Sequence, residues 1–424
     1  MGKTLTAKII DSHKVDEPEK DVVVLKTDLR VCHEITTPPA ILENQEKWMD
    51  VVADPKSVVA LIDHVSPAKD SNTALQGKVI RDWARRHDIR FFDVGRNGVC
   101  HALIPEQGLV LPGMVIVCGD SHTCTYGAFG SLAFGVGTTD LQVALLKNIV
   151  FLRKPKVMQI CLKGELPSGV FAKDVILYLI SQIGVKGATD YVIEFSGQAI
   201  KAMTMESRMT ICNMAVEAGA TSGICDPDEA TFDYYRTIDP EIALSAFRMR
   251  TEEWHADPDA VYDESREFNI SALEPQVSFG DNPSQVKPVR EMAGTPINQV
   301  VIGSCTNGRI PDLRIAAQIL KGKKIPDKVR LIVIPATTKT QLQAIKEGLA
   351  EIFIEAGACF VNPTCGPCLG MSSGVLAEGE ACASTTNRNF PGRMGKGGKV
   401  YLMSPATAAA SALYGRITDP REVM

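Results

Sequence analysis

Short, near-continuous runs of Val, Ile and Leu recur along the chain and alternate with longer stretches whose apolar positions repeat every three to four residues. The runs Val58–Ile62, Met114–Cys118, Gln299–Ile302, Val329–Ile334 and Val400–Met403 predict strands covered on both faces, because such a strand needs no polar alternate position. Pro311–Leu320 predicts a helix between two of them. Pro311 suits a first helical turn, and Leu313, Ala316, Ala317 and Leu320 share one face. Strand–helix alternation of this kind predicts α/β layers with mostly parallel sheets. The least core-like stretch is Asp226–Lys287, rich in Asp, Glu, Tyr and Pro. Its end marks a boundary, dividing the chain into an N-terminal region, 1–287, and a separate α/β domain, 288–424.

Polar clusters follow the predicted strands. Asp63 and His64 follow VVALI, and Asp120, Ser121 and His122 follow MVIVCG. Cys305, Thr306 and Asn307 follow VVIGS, and Cys365 and Cys368 follow ACFVNPT. In open α/β sheets, ligands bind beyond the carboxyl ends of strands. Four such clusters predict that several strands deliver polar groups to one crevice.

Composition sharpens this picture. The chain has 424 residues, 45% of them hydrophobic and 22% charged, with a net charge of −5. That balance excludes the basic stripe expected of a nucleic-acid-binding protein. There is no apolar run near the length of a membrane span, and the start MGKTLTAKIIDSH turns polar too soon for a secretory signal. Gly2 and Thr6 fit a myristoylation pattern, but the segment reads as an ordinary first helix. Twelve cysteines in a chain with no mark of secretion are expected to be reduced thiols in a cytoplasm. Most, such as Cys161 and Cys212, are expected to be buried small apolar residues.

Cys305 stands alone in GSCTNGR, while Cys365 and Cys368 form a close pair in PTCGPCLG. Thiolates favour iron–sulfur clusters or zinc. A structural zinc site usually wants two close pairs. Three thiolates can instead hold three corners of a cubane cluster and leave the fourth iron open as a Lewis acid. A dithiol redox pair and inert buried thiols are the competing interpretations of the same residues. Of the seven histidines, His64, His101 and His122 fall in or near the polar clusters. A carboxylate beside a histidine fixes its tautomer and raises its pKa. Glu217, in ICNMAVEAGA, lies on a predicted buried helix, where a carboxylate needs a partner. Arg388 and Arg393, in NRNFPGR, suit a dicarboxylate substrate, since guanidinium pairs with carboxylate through two bonds. The Gly127–Gly137 segment fails the dinucleotide spacing, with Asp140 at the third glycine position. MGKGGK fails as a P-loop.

The segments GDSHTCTYGAFG, IGSCTNGR, NPTCGPCLG and STTNRNFPGRMG together resemble the aconitase superfamily. They are most similar to the large subunits of two-subunit 3-isopropylmalate dehydratases and homoaconitases. The resemblance covers nearly the whole chain. It implies three α/β/α domains around a 4Fe–4S cluster, two of them intertwined in 1–287 and the third, carrying the cluster cysteines, in 288–424. Cys305, Cys365 and Cys368 would be the ligands, leaving one open iron. Asp63–His64 would help protonate the leaving hydroxyl, and His101 with Asp120 and His122 with Glu217 match the family's other active-site pairs. Ser121, Arg388 and Arg393 would hold carboxylates, and Asn307 and Asn387 would lie beside the cluster. Single-chain relatives continue into a swivelling fourth domain bearing a serine base and further arginines. No such segment is found here, so a small subunit is the expected partner, in a heterodimer or heterotetramer.

Departures from the family pattern bear on the substrate. CHEITTPPA stands where relatives often read HDGTTPLA, and Tyr126 replaces a common His. IDHVSPAKD and RNGVCHA resemble the 2,3-dimethylmalate dehydratase branch as much as the leucine branch. The expected activity is therefore dehydration and rehydration of a 2-hydroxy dicarboxylic acid, foremost the 3-/2-isopropylmalate pair of leucine biosynthesis. Dimethylmalate, citramalate and homoaconitate are the alternatives. A cluster-free RNA-binding regulator and a thiol–disulfide enzyme are the hypotheses from other classes.

Overall fold

The computed structural model describes residues 2–47, 50–248 and 254–424. Three parallel or mainly parallel sheets carry the architecture. A five-stranded, all-parallel sheet runs in the spatial order Arg90–Phe92, Val58–Leu61, Leu29–His33, Val115–Cys118, Leu132–Gly135. A four-stranded, all-parallel sheet runs Ser222–Cys225, Tyr191–Ser196, Lys156–Lys163, Glu264–Asn269. The third sheet has seven strands: Val286–Pro288, Gln276–Ser278, Lys399–Leu402, Ala381–Ser384, Gln299–Ile302, Arg330–Val333 and Cys359–Phe360. Its last five are mutually parallel, and Gln276–Ser278 runs antiparallel to both of its neighbours. The five apolar runs singled out in the sequence all lie in these sheets, and the helix over Ile310–Leu320 packs Leu313, Ala316 and Ala317 into the core.

Two segments differ from expectation. Asp226–Lys287 holds two helices, Glu229–Ile238 and Pro240–Arg248, and an edge strand, Glu264–Asn269. Residues 249–253 of that stretch lie outside the described residues. Its polarity follows from position: the edge strand is only half covered, while Phe232 and Tyr235 on one helical face are buried. The hairpin strands Gln276–Ser278 and Val286–Pro288 pair across residue 287 within the C-terminal sheet. A small antiparallel sheet of Lys14–Glu19, Val22–Lys26 and Ile149–Arg153 went unread because its first strand is wholly exposed and polar. The first helix, Leu5–His13, is capped by the Thr4 hydroxyl, which accepts from the Ala7 amide at 3.1 Å. Of the two cysteines expected in the core, Cys212 is buried and Cys161 only half-buried.

Candidate active site

The strand ends converge as their sequence positions suggest. Asp63 and His64 leave Val58–Leu61. Asp120 leaves Val115–Cys118 and caps the short helix Ser121–Phe129, accepting the His122 amide at 2.7 Å. Gly135, on the neighbouring strand, permits this turn: a Cβ there would sit 2.6 Å from the Asp120 carbonyl oxygen. Cys305 lies on a one-turn helix, Ser304–Asn307, after Gln299–Ile302. The entry to it is tight. Gly303 has φ 154°, where a Cβ would meet the Ile334 carbonyl at 2.5 Å, and Ser304 is held at φ 70°. A non-glycine residue in that region is strained, and such strain clusters at functional sites.

One wall of the site is a network of histidines and carboxylates. His101 Nε2 lies 2.9 Å from Asp120 Oδ1, and His122 Nε2 lies 2.8 Å from Glu217 Oε1. His64 Nε2 faces Asp120 Oδ2 at 3.6 Å, closer than its Nδ1 comes to Asp63, at 3.7 Å. Asp63 instead accepts the Cys100 amide at 3.1 Å and faces Cys365 Sγ at 3.6 Å. Burial opposes charge on His64, but Cys365, Asp63 and Asp120 outweigh it and hold its pKa well above the ordinary histidine value. Burial likewise raises Asp120, yet His101, His122 and His64 bring it well below the usual carboxylate range. Glu217 is lowered despite burial by His122 and Arg388.

The opposite wall is made of thiols. Cys305, Cys365 and Cys368 are all buried and border one enclosed pocket with Asp63, His64 and Asn387. All twelve cysteines are free. Amide N–H groups of Asn213 and Asn387 donate to Cys305 Sγ at 3.3 and 3.2 Å, and Asn387 Oδ1 accepts from Cys368 at 3.5 Å. Burial pushes the Cys305 thiol up to about 12 and Cys365 well above its ordinary value. Thiols so buried become thiolates only beside a cation, and N–H groups aimed at sulfur favour the thiolate. This donor set therefore fits a thiolate-bound metal group. Asn307 is the exception among the expected neighbours. Its amide donates to Asp312 at 2.9 Å and Thr210 at 3.4 Å, away from the sulfurs.

The two arginines differ. Arg388 Nε donates to Glu217 Oε1 at 2.8 Å, and its Nη2 donates to Ser121 Oγ at 2.9 Å. Among the described residues, Arg393 reaches only Cys368 Sγ, at 4.0 Å, and its buried Nε has no partner. Both line an open cavity of about 580 Å³. His64, Asp120 and His122 border both this cavity and the thiol pocket. Tyr126, the departure from a common His, is buried with its ring 5.6 Å from that of His101.

Two site residues escaped the sequence. Glu34 accepts the backbone amides of Asp63 at 2.9 Å, His64 at 2.7 Å and Val65 at 2.8 Å, so one carboxylate fixes the whole Asp63–His64 turn. Its position directly after the strand Leu29–His33 was the available clue. Asn213 ends the helix Met205–Asn213 just before Glu217. Nothing in its local pattern distinguishes it from a helix terminus.

Comparison with known proteins accords with this geometry. Residues 7–415 match the model of the aconitase family (aconitate hydratase). The chain is 60% identical to the 3-isopropylmalate dehydratase large subunit of Geobacter sulfurreducens, over the full length of both. It is 45% identical to 3-isopropylmalate dehydratase large subunit 1 of Methanopyrus kandleri, over 99% of each. Among solved structures, that of Thermococcus kodakaraensis aconitase X in its holo-form is similar at 11% identity and a TM-score of 0.49, covering 86% of this chain and 84% of that one. With its family model spanning nearly the whole chain and relatives matched from end to end, this protein belongs to the aconitase family.

Proposed function

We propose that the chain is the cluster-bearing large subunit of a hydro-lyase that interconverts 3- and 2-isopropylmalate by dehydration and rehydration. The observation that carries the reading is that three buried thiols border one small pocket together with His64, His101, Asp120 and His122, two of these histidines being held by carboxylates. Family membership implies a 4Fe–4S cluster, and Cys305, Cys365 and Cys368 are the residues that would hold it. When bound, it supplies a Lewis-acidic iron for the substrate hydroxyl. The chain's own groups supply the acid, the orienting pairs and part of the carboxylate binding. His64, held protonated by its acidic surroundings, is placed to give a proton to the departing hydroxyl. Asp120 orients His64 and His101, and Glu217 orients His122 and Arg388. Arg388, Arg393 and Ser121 bind the substrate carboxylates, and Asn387 holds the sulfur side in place.

Ile35, Val136, Val216 and Leu369 give the cavity an apolar side. That suits an alkyl branch and disfavours the additional carboxylate of a homoaconitate-type substrate. Ile35 lies in CHEITT, where relatives often carry glycine. The relatives' designation as large subunits supports a small-subunit partner that brings the serine base and further arginines. A cytoplasmic location suits thiols that must stay reduced. The domain divide is best drawn ahead of Gln276, so that the hairpin across residue 287 stays with its sheet.

The test is anaerobic reconstitution of the chain, with and without a small subunit, followed by absorbance of the alkene intermediate formed from 2-isopropylmalate. The chain alone is expected to be inactive and the pair active. Robust turnover by the chain alone would refute the two-subunit reading. Preference for citramalate or dimethylmalate would move the substrate assignment.

A further inference from the structure

A second cavity, of about 330 Å³, shares no lining residue with either pocket of the candidate active site. That volume is at the small end of ligand pockets, which start at roughly 300 Å³. Helix ends build it. Ile310–Leu320 and Thr338–Lys346 begin there, through Ile310 and Lys339. Glu229–Ile238 and Cys100–Glu106 end there, through Ile238 and Glu106. Helix starts favour an anion and helix ends a cation, so the cavity has both poles.

Its charges are unmatched. Arg309, which precedes Ile310–Leu320, is only 5% exposed. Its Nη1 donates to the Thr306 carbonyl at 2.9 Å, while Nε and Nη2 have no partner among the described residues. The nearby Asp312 is engaged by the backbone amide of Arg309, at 3.0 Å, and by Asn307, at 2.9 Å. Glu106 Oε1 accepts from the hydroxyls of Thr337 and Thr340, at 2.9 and 3.1 Å, but its buried Oε2 has no partner among the described residues. Burial raises the Glu106 carboxyl above its usual range, and Thr337, Lys339, Thr340 and Arg309 oppose the rise. Lys339 is exposed and Glu206 half-buried, and both border the same space. None of these four charges forms an ion pair among the described residues. Arg314, also at the wall, is instead held by Glu347 through two N–H groups, at 2.8 and 2.7 Å.

We propose that this cavity is a binding site for a small zwitterion, an α-amino acid with an aliphatic side chain. Arg309 and Lys339 take its carboxylate, Glu106 and Glu206 take its ammonium, and Ala102, Ile238 and Ile310 cover its side chain. A ligand with a single charge would match one pair and leave the other desolvated without a partner, which is costly. The argument uses neither the cluster nor the isopropylmalate reading, so the site stands or falls apart from them.

The test is calorimetric titration of the full-length, cluster-free chain with L-leucine. Two analogues that each lack one charge, 4-methylpentanoate and 3-methylbutylamine, are titrated beside it. L-Leucine should bind saturably, and each analogue about tenfold more weakly or worse. Glu206→Gln and Lys339→Gln remove side chains that make no ion pair, so both should fold. Each should weaken L-leucine about tenfold, whereas Arg388→Lys, in the other cavity, should leave its affinity unchanged. Arg309→Gln should weaken it further; if that variant does not fold, the other two decide. No saturable binding of L-leucine by the wild-type chain, or equal affinity for either analogue, would overturn the proposal. So would wild-type affinity in both Glu206→Gln and Lys339→Gln, or loss of affinity in Arg388→Lys alone.

Discussion

On the histidine side of the cavity, the charged groups are largely matched before any ligand arrives. Asp120 faces three histidines, and Glu217 is shared by His122 and Arg388. On the sulfur side, three thiols are buried, burial pushes those of Cys305 and Cys365 above their ordinary range, and among the described residues Arg393 Nε has no partner. The first wall is preorganised, and preorganised dipoles cost nothing at the moment of reaction. The second is the set of proposed ligands, buried thiols that would become thiolates only beside a bound cation. The contrast separates the residues whose loss should disable chemistry from those whose loss should prevent assembly of the site.

The largest expected effect breaks the sulfur side alone. Replacing Cys305, Cys365 or Cys368 by Ser should prevent stable cluster formation and abolish activity, because thiolates hold the irons. The near-ultraviolet circular dichroism of the cluster-free chain should stay close to wild type, since the His101–Asp120 and His122–Glu217 bonds do not involve the sulfurs. Full iron content in Cys305→Ser would show that the single distant thiol is not a ligand.

A smaller effect separates the two arginines. Lys keeps the charge but loses the planar fork. Arg388→Lys and Arg393→Lys should each cost roughly 2–4 kcal/mol in kcat/KM with cluster content unchanged. Only Arg388→Lys should also lower the melting temperature of the cluster-free chain, because only Arg388 is bonded to Glu217 and Ser121 in the empty site. Near-normal kcat/KM in both would remove them as carboxylate clamps.

The smallest effect probes the matched charges by pH. Despite its burial, His122 and Arg388 hold the Glu217 carboxyl below its ordinary value of 4.5. Its contribution to stability is therefore present above that value and lost as pH falls through the lower folded value. Unfolding free energies from urea titration of the cluster-free wild type and of Glu217→Gln should differ by about 1–2 kcal/mol near neutrality and converge as pH falls through the lowered carboxyl range. A gap independent of pH would mean that Glu217 acts by packing alone.

The layered α/β plan was legible because strands covered on both faces are written as unbroken apolar runs, as in Val58–Leu61 and Gln299–Ile302. Edge and surface strands lack that mark. Glu264–Asn269 and Lys14–Glu19 are polar because water reaches them, so the first falls in the least core-like stretch and the second carries no strand pattern. In the site, the residues found from the pattern lie directly after strands or within long motifs. Glu34 and Asn213 were missed because their importance lies in what they touch across the fold: three amides of a turn and a sulfur. The approach of His64 to Asp120 as well as to its sequence neighbour Asp63 has the same cause.

The strand order of the C-terminal sheet has a consequence for biogenesis. Gln299–Ile302 and Arg330–Val333 can pair as soon as both leave the ribosome, but the strand on the other flank of Gln299–Ile302 is Ala381–Ser384, and Gln276–Ser278 waits for Lys399–Leu402. Until those late strands are synthesised, fully apolar edges stand open to pairing with other chains. The nascent protein should therefore depend on chaperones through the latter part of its translation, and slow codons between residues 303 and 381 should favour aggregates over soluble chain.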